Sequence, residues 1–255
     1  MMTTTQNLTG KVAFVTGATR GIGVETVRGL ARLGAEVIIG ARDAEKGVQV
    51  AEQLKQEGLK AVSIKIDVNS TEDHAAAYSY IHEHYGKLDI LINNAGILRD
   101  EESVSVPIVN RTSTLPEKDL RETFDVNFFA PILLTRALLP LIRKSDAGRI
   151  VNLSSVLGSL TLHADPASPI YSIKTFAYNA SKTALNAFTI HLAHELKDTS
   201  IKVNSIHPGW IRTELGGNKA DLDEVEGSRT SILMATLPDD GPTGGFYHLD
   251  SPLPW

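Results

Sequence analysis

From Val12 to Asn93 the chain alternates short apolar runs with longer stretches of helical composition, and this alternation restricts the fold more than any other feature. Val12-Ala13-Phe14-Val15 has the length and character of a buried strand, broken by Thr16-Gly17. Ile22 to Leu33 reads as a helix stopped by Gly34. Glu36 to Gly40 gives a second strand, and Ala44 to Glu57 a second helix ended by Gly58. Ala61 to Ile66 alternates as a third strand, Thr71 to Tyr85 is helical, and Asp89 to Asn93 forms a fourth strand. Strands separated by helices of this length join through right-handed crossovers. The sequence therefore predicts an α/β fold, a doubly wound parallel sheet covered on both faces.

After Gly96 the rhythm changes. Ile97 to Pro116 has no clear period and reads as a long loop. Glu117 to Lys144 reads as one long helix bent at Pro131, and Arg149 to Leu153 as a fifth strand. Val156 to Thr175 is a second irregular stretch. A helix running on to Lys197 follows, then a strand at Lys202 to Ile206, a break at Pro208-Gly209 and a helix from Glu224 to Leu237. The tail, Pro238 to Trp255, is rich in glycine and proline, with at most a short strand around Phe246 to Leu249. Both irregular stretches lie between a strand's carboxyl end and the next helix, where open α/β sheets bind ligands. No repeat or linker divides the chain. The expectation is a single domain over 1–255, with a core at 8–213 and a substrate-side helix and tail at 214–255.

The turn Thr16-Gly17-Ala18-Thr19-Arg20-Gly21-Ile22-Gly23 joins the first strand to the first helix. Glycines allow a tight turn and close backbone approach, and the helix start offers N–H groups and a positive dipole end to phosphates. In this strand–turn–helix setting the turn points to dinucleotide binding, although its spacing is G-x-x-x-G-x-G. The second strand ends at Ala41 and Arg42 follows. A carboxylate there suits ribose hydroxyls, whereas Arg42 and Arg20 together suit a 2′-phosphate through bidentate bonds. The charges favour NADPH/NADP+. Two other readings stay open: Arg42 pairs with Asp43 or Glu45, or Asp43 itself serves a ribose.

Composition closes off other classes. The formal net charge is −5, which gives no footprint for nucleic acid or an anionic membrane. There is no cysteine, so thiolate chemistry and disulfides are excluded. No apolar run approaches the roughly 18 residues of a membrane span, and Met1 to Gln6 lacks the apolar core of a signal peptide. A cytoplasmic globular protein is expected. Asn-x-Ser/Thr triplets at Asn7, Asn69, Asn110, Asn152 and Asn179 are chance matches on that reading. His191, His194 and Glu195 match no zinc motif, His74, His82 and His84 form no ligand set, and no metal is expected.

Tyr178 and Lys182 stand one helical turn apart and share a face. An ammonium beside a phenol favours the phenolate and draws its pKa toward neutrality, which would equip Tyr178 for proton transfer. Spacing alone fits an unrelated aromatic and lysine equally well. Tyr171 with Lys174 is a poorer pair, three residues apart in a proline-bounded segment.

The chain resembles the short-chain dehydrogenase/reductase superfamily from Lys11 to about Thr213. The matching pieces occur in order: the glycine turn, Asp67-Val68, Asn93-Asn94-Ala95-Gly96, Asn127, Ser154-Ser155, Tyr178-x-x-x-Lys182 and Pro208-Gly209. Pro208-Gly209-Trp210, the Arg20/Arg42 pair and an extra segment before Tyr178 look most like carbonyl reductases. The resemblance implies a Rossmann-like domain reducing ketones or aldehydes with NADPH. In it, Tyr178 protonates the carbonyl oxygen, Ser155 polarises it, Lys182 lowers the tyrosine pKa and Asn127 holds a water linking Lys182 to solvent. Ser154 is set aside because strand neighbours face opposite ways. The cofactor would contact Gly17, Thr19, Arg20, Gly21, Ile22, Gly23 and Arg42 at its phosphates, and Asp67 and Val68 at the adenine. Asn93, Asn94, Ala95 and Gly96 would lie along the adenosine, Tyr178 and Lys182 at the nicotinamide ribose, and Pro208, Gly209 and Thr213 at the nicotinamide end. The alternatives are an alcohol or steroid dehydrogenase working toward oxidation, and a non-catalytic dinucleotide sensor. Trp210, Leu157, Leu160 and Ile170 suggest an apolar or aromatic carbonyl substrate, or simply pack their loops. The spacing from Ser155 to Tyr178 is longer by about ten residues than in many members, and the tail lacks the usual glycine-rich last strand. The extra segment leaves oligomeric state open between monomer, dimer and tetramer, and the tail either packs as an arm or lines the substrate pocket.

Overall fold

The computed structural model describes residues 7–99 and 112–255. Eight strands form one sheet: β1 (Val12–Thr16), β2 (Glu36–Ala41), β3 (Ala61–Lys65), β4 (Ile90–Asn93), β5 (Arg149–Leu153), β6 (Lys202–Ile206), β7 (Phe246–His248) and β8 (Ser251–Pro252). Their order is β3-β2-β1-β4-β5-β6-β7-β8, parallel throughout except for the antiparallel pair β7–β8. The doubly wound α/β class predicted from the alternation is the one observed. The order reverses direction between β1 and β4, so the carboxyl ends of those strands flank a crevice.

Helices α1 (Gly21–Arg32), α2 (Ala44–Gln56) and α3 (Thr71–Tyr85) occupy the expected crossovers. Next come α4 (Glu117–Phe124), α5 (Ala130–Ile142), α6 (Leu160–Ala164), α7 (Phe176–Glu195) and α8 (Glu224–Ala235). Side chains alternate along β1. Ala13 and Val15 enter one core with Val27, Leu30, Ile39 and Leu54, and Val12 and Phe14 enter another with Ile81, Leu91, Leu138 and Leu192. The residues beyond 213 share these layers, with Met234 and Leu237 packing into the first core.

The long helix expected from Glu117 to Lys144 is two helices joined by a wide turn at Asp125–Phe129, where the Ala130 N–H donates to the Asp125 carbonyl five residues back. Pro131 has no N–H to give the carbonyl of Asn127, so the ladder widens just before the proline. By length and composition this run, Glu117–Ile142, does reach the apolarity of a membrane span, contrary to expectation. Its residues Leu134, Leu138 and Leu141 are buried in the protein core. The stretch read as irregular after Val156 contains α6, capped by the Ser159 hydroxyl on the Leu162 N–H at 3.2 Å. The tail forms β7 at the sheet edge. It turns back through β8, stacks Trp255 on Phe246 with ring centres 5.7 Å apart, and accepts the Thr161 N–H at 2.9 Å through the Trp255 carbonyl. Most of the loop expected between Ile97 and Pro116, with Asn110, lies outside the described residues.

A buried polar chain crosses the sheet under α5 and α7. The Asn93 amide donates to Thr135 at 3.0 Å and to Asn152 at 2.8 Å, Asn152 donates to Thr189 at 2.8 Å, and Thr189 meets Ser205 at 2.8 Å. Such groups are tolerated inside only when bonded, so the chain fixes how β4, β5 and β6 sit against those helices.

Gly23 packs α1 under the first turn. A Cβ there would lie 2.6 Å from the Gly17 carbonyl oxygen and 2.8 Å from the Asn94 amide nitrogen. Gly23→Ala is therefore expected to cost about 1–3 kcal/mol by overpacking, lowering the melting temperature by several degrees. Thermal unfolding checks this, and an unchanged midpoint would contradict the packing described.

Candidate active site

The crevice is built where β1 and β4 end. Gly17 takes φ +63°, and a Cβ on it would come within 2.9 Å of Ala95 Cα, so only glycine brings the two turns this close. Asn94 clamps them. Its side-chain amide donates to the Thr16 carbonyl at 2.7 Å and the Gly17 carbonyl at 3.1 Å. The backbone N–H groups of Asn94 and Ala95 each donate to the Thr16 hydroxyl at 3.1 Å. Asn94 and Thr16 thus hold the glycine turn from inside. Asn93, expected beside the adenosine, borders the crevice while its amide is spent in the cross-sheet chain. Asn94, also expected there, spends its amide on the turn, because a buried amide must satisfy its donors.

Helix α1 starts at Gly21 directly after this turn. Its N-cap residue, Arg20, makes no side-chain capping bond and its first turn holds no acid. By contrast α2, α3 and α8 are capped by Asp43, Ser70 and Asp223. Thr19 is partly exposed, as are Gly21 and Ile22. The positive end of α1 therefore has no carboxylate or hydroxyl of its own cap to answer it. Arg20 points its exposed guanidinium to Glu214, forming an ion pair.

Arg42 is exposed at the end of β2 and makes no ion pair among the described residues. Asp43 does not pair with it. The Asp43 carboxylate accepts the Lys46 N–H at 3.2 Å and lies 3.8 Å from the Lys46 ammonium. Asp67 closes its own turn by accepting the Asn69 N–H at 3.0 Å. Val68 and Ala95 line a shallow crevice with Thr16 and Asn93.

Across the crevice, β5 and α7 bring Ser155, Tyr178 and Lys182 together. All three are buried. The side chains of Ser155 and Tyr178 are hydrogen-bonded, and Ser155 also accepts the Leu157 N–H at 3.2 Å. The Lys182 ammonium donates to the Leu153 carbonyl at 2.7 Å and sits 5.6 Å from the centre of the Tyr178 ring. Gly96 borders the same spot, since a Cβ on it would lie 3.5 Å from Lys182 Nζ and 3.4 Å from Asn127 Oδ1.

The charge states differ from those expected. Burial pushes the Tyr178 phenol up to about 12, and the bond to Ser155 opposes this. Burial pulls the Lys182 ammonium down to about 7. Removing both groups from water disfavours both charged forms, and that outweighs their mutual attraction here. Tyr178 is a protonated phenol at neutral pH, as an ordinary tyrosine is, and burial extends that range upward.

Asn127 is fully buried in the wide turn before α5. Its side chain accepts the Ile97 N–H at 2.8 Å, donates to the Ile97 carbonyl at 2.8 Å and donates to Ser181 at 3.1 Å. Ser181 in turn donates to the Tyr178 carbonyl at 2.7 Å. The amide expected to carry a water to Lys182 is thereby committed to joining the segment after β4 to α7.

Pro208 and Gly209 turn the chain after β6. Thr213 reaches the start of α1: a Cβ on Gly21 would lie 3.4 Å from its methyl carbon. Trp210 is exposed and its indole donates to the Gly216 carbonyl at 2.8 Å. Leu160 is exposed as well, whereas Ile170 is buried and packs its own loop. Sequence reasoning did not find Ser181, Leu153 or Glu214. Ser181 lies inside the Tyr178–Lys182 run, but the Arg20–Glu214 contact spans 194 positions and leaves no local spacing to detect.

Charged groups buried at the opposite end of the sheet are spent on structure. Asp89 accepts the Val12 N–H at 2.9 Å and the Ser145 hydroxyl at 2.6 Å, and Arg149 donates to the Leu237 carbonyl at 2.7 Å. The chemistry is confined to the carboxyl end.

The chain was also compared with known proteins. Residues 11–223 match the family model described as short chain dehydrogenase. A 3-oxoacyl-(acyl-carrier-protein) reductase of Pseudomonas aeruginosa is 35% identical, the match covering 91% of this chain and 84% of the relative. Carbonyl reductase (NADPH) 1 of Homo sapiens is 30% identical over 92% of this chain and 95% of its own. Among solved structures, the NADPH-bound carbonyl reductase from chicken fatty liver superposes with a TM-score of 0.82 at 26% identity, covering 97% of this chain and 99% of that one. A family model spanning most of the chain, over a fold of this topology, makes the protein a member of the short-chain dehydrogenase/reductase family of oxidoreductases.

Proposed function

We propose that the protein is an NADPH-dependent carbonyl reductase, giving up a proton from Tyr178 as a ketone or aldehyde becomes an alcohol. One observation carries the reading: a buried, protonated Tyr178 hydrogen-bonded to Ser155, with Lys182 one turn away. A phenol held beside a hydrogen-bonding hydroxyl and a lysine can hand its proton to a carbonyl oxygen as that oxygen gains negative charge. The two relatives compared above are also named as reductases.

The residues fit a phosphorylated dinucleotide. The uncapped start of α1 and the turn from Gly17 to Gly23, which a Cβ would fill, suit the pyrophosphate. Arg42 makes no ion pair among the described residues, and Asp43 is turned to the start of α2, where it accepts the Lys46 N–H. Asp67 and Val68 stand beside the adenine position, Ala95 and Gly96 along the crevice, and Pro208, Gly209 and Thr213 at the far end. When bound, the nicotinamide supplies the hydride.

The rest belongs to this chain. Ser155 donates to the carbonyl oxygen and orients it toward the Tyr178 hydroxyl. Lys182, anchored by the Leu153 carbonyl, supplies positive charge beneath the tyrosine as its proton leaves. The Asn127 main chain holds a water through which the proton is restored. Exposed Trp210 and Leu160 offer an apolar border for a bulky or aromatic substrate. The protein is read as cytoplasmic, with the 1–255 chain as one catalytic domain.

Tyr178→Phe is expected to lower turnover of a ketone panel by about 100- to 10,000-fold while the NADPH dissociation constant stays unchanged. Near-normal turnover would remove the proposed acid. NADPH is expected to bind more tightly than NADH, and Arg42→Ala to weaken NADPH by about tenfold or more while changing NADH by less than about twofold. Equal affinities in the wild type would take away the role given to Arg20 and Arg42.

A further inference from the structure

We propose that Glu214 is an internal competitor for Arg20, a specificity-determining carboxylate that a 2′-phosphate must displace. This rests on the reading of Arg20 and Arg42 as 2′-phosphate ligands.

Arg20 stands at the N-cap position of α1 without bonding the helix through its side chain, and its guanidinium pairs instead with the Glu214 carboxylate. Glu214 directly follows Thr213, whose methyl group lies against Gly21 at the head of α1. The loop after Pro208 therefore rests across the first turn of that helix. Glu224 Oε1 is close as well, 3.7 Å from a Cβ built on Gly21.

The loop has internal structure that fixes where Glu214 stands. Gly217 N–H donates to the Thr213 carbonyl at 2.8 Å, Gly216 N–H to the Thr213 hydroxyl at 3.1 Å, and Trp210 to the Gly216 carbonyl at 2.8 Å. Arg212 donates to the Ala220 and Asp221 carbonyls at 3.1 and 2.9 Å. Glu214 is thus presented on a bonded turn, and the basic group nearest it is taken.

Glu214 engages Nη1 of Arg20, and a 2′-phosphate drawn to the same guanidinium meets the like charge of that carboxylate and competes with it for Nη1. Both partners are well exposed, and exposed pairs are weak. A dianion wins this competition, and the carboxylate lowers its affinity by about two- to fivefold. A ligand without a 2′-phosphate has no call on Arg20 and leaves the pair intact. Glu214 thus moderates the preference that Arg20 and Arg42 create.

Calorimetric titration with adenosine 2′,5′-bisphosphate and with AMP tests this, because the two probes differ only in the 2′-phosphate. Wild type, Glu214→Gln, Arg20→Gln and the double variant are compared. Glu214→Gln is expected to tighten the bisphosphate by about threefold and leave AMP unchanged, with no gain in the Arg20→Gln background. Equal tightening of both probes, a gain that survives without Arg20, or no gain at all would overturn the competition. A wild type that binds the bisphosphate no better than AMP, with Arg20→Gln also silent, would instead overturn the 2′-phosphate reading on which it stands.

Discussion

The site depends on one close approach, the contact of Gly17 with Ala95 where β1 and β4 end. These two strands are neighbours because the sheet reverses its winding between them. The reversal leaves a crevice at the carboxyl ends of the two strands. The approach is possible because Gly17 has no side chain and holds a positive φ. It is kept by Asn94, whose amide bridges the Thr16 and Gly17 carbonyls. Once the two turns are locked, the direction of α1, the openness of its amino end and the position of Gly96 beside Lys182 all follow.

The second constraint is desolvation. Tyr178 and Lys182 lie on a helix face that packs against β5 and the wide turn before α5, so both titrating groups leave water. In the unliganded protein this raises the phenol and lowers the ammonium, and neither is poised by the other as simple charge attraction would have it. The arrangement stores a proton on the phenol and keeps a lysine that gains charge readily as negative charge develops nearby. Ser155 fixes the direction of that phenol. Asn127 acts at one remove, tying the segment after β4 to α7 through Ile97 and Ser181.

Much of this was legible in the chain because it is written locally. Strand–helix alternation, glycine punctuation and the Tyr178–Lys182 spacing are short-range patterns, and the sheet up to β6 follows from them. Contacts between distant segments were not legible. The wide turn at Asp125–Phe129 depends on how Pro131 interrupts the ladder in three dimensions. A short strand near Phe246 was expected, but its pairing with β6 and β8 and the docking of Trp255 on Phe246 depend on distant contacts that no local signal announces. Asn93 and Asn94 are adjacent and chemically identical, yet one joins a chain across the sheet and the other clamps the glycine turn, because successive residues at a strand end face different neighbours. Asp43 likewise is read as a ribose ligand or a partner for Arg42 until the start of α2, which it caps, is located.

The central claim is that burial keeps Tyr178 protonated and so makes it the proton donor. Carbon-13 NMR of ring-labelled tyrosine follows each phenol separately through a pH titration, with Tyr178→Phe assigning the resonance. The account predicts that Tyr178 remains protonated where an ordinary tyrosine ionises, near pH 10, with its midpoint displaced toward about 12. A midpoint at or below about 10 would contradict it, because the phenol would then be set by charge attraction instead of by desolvation.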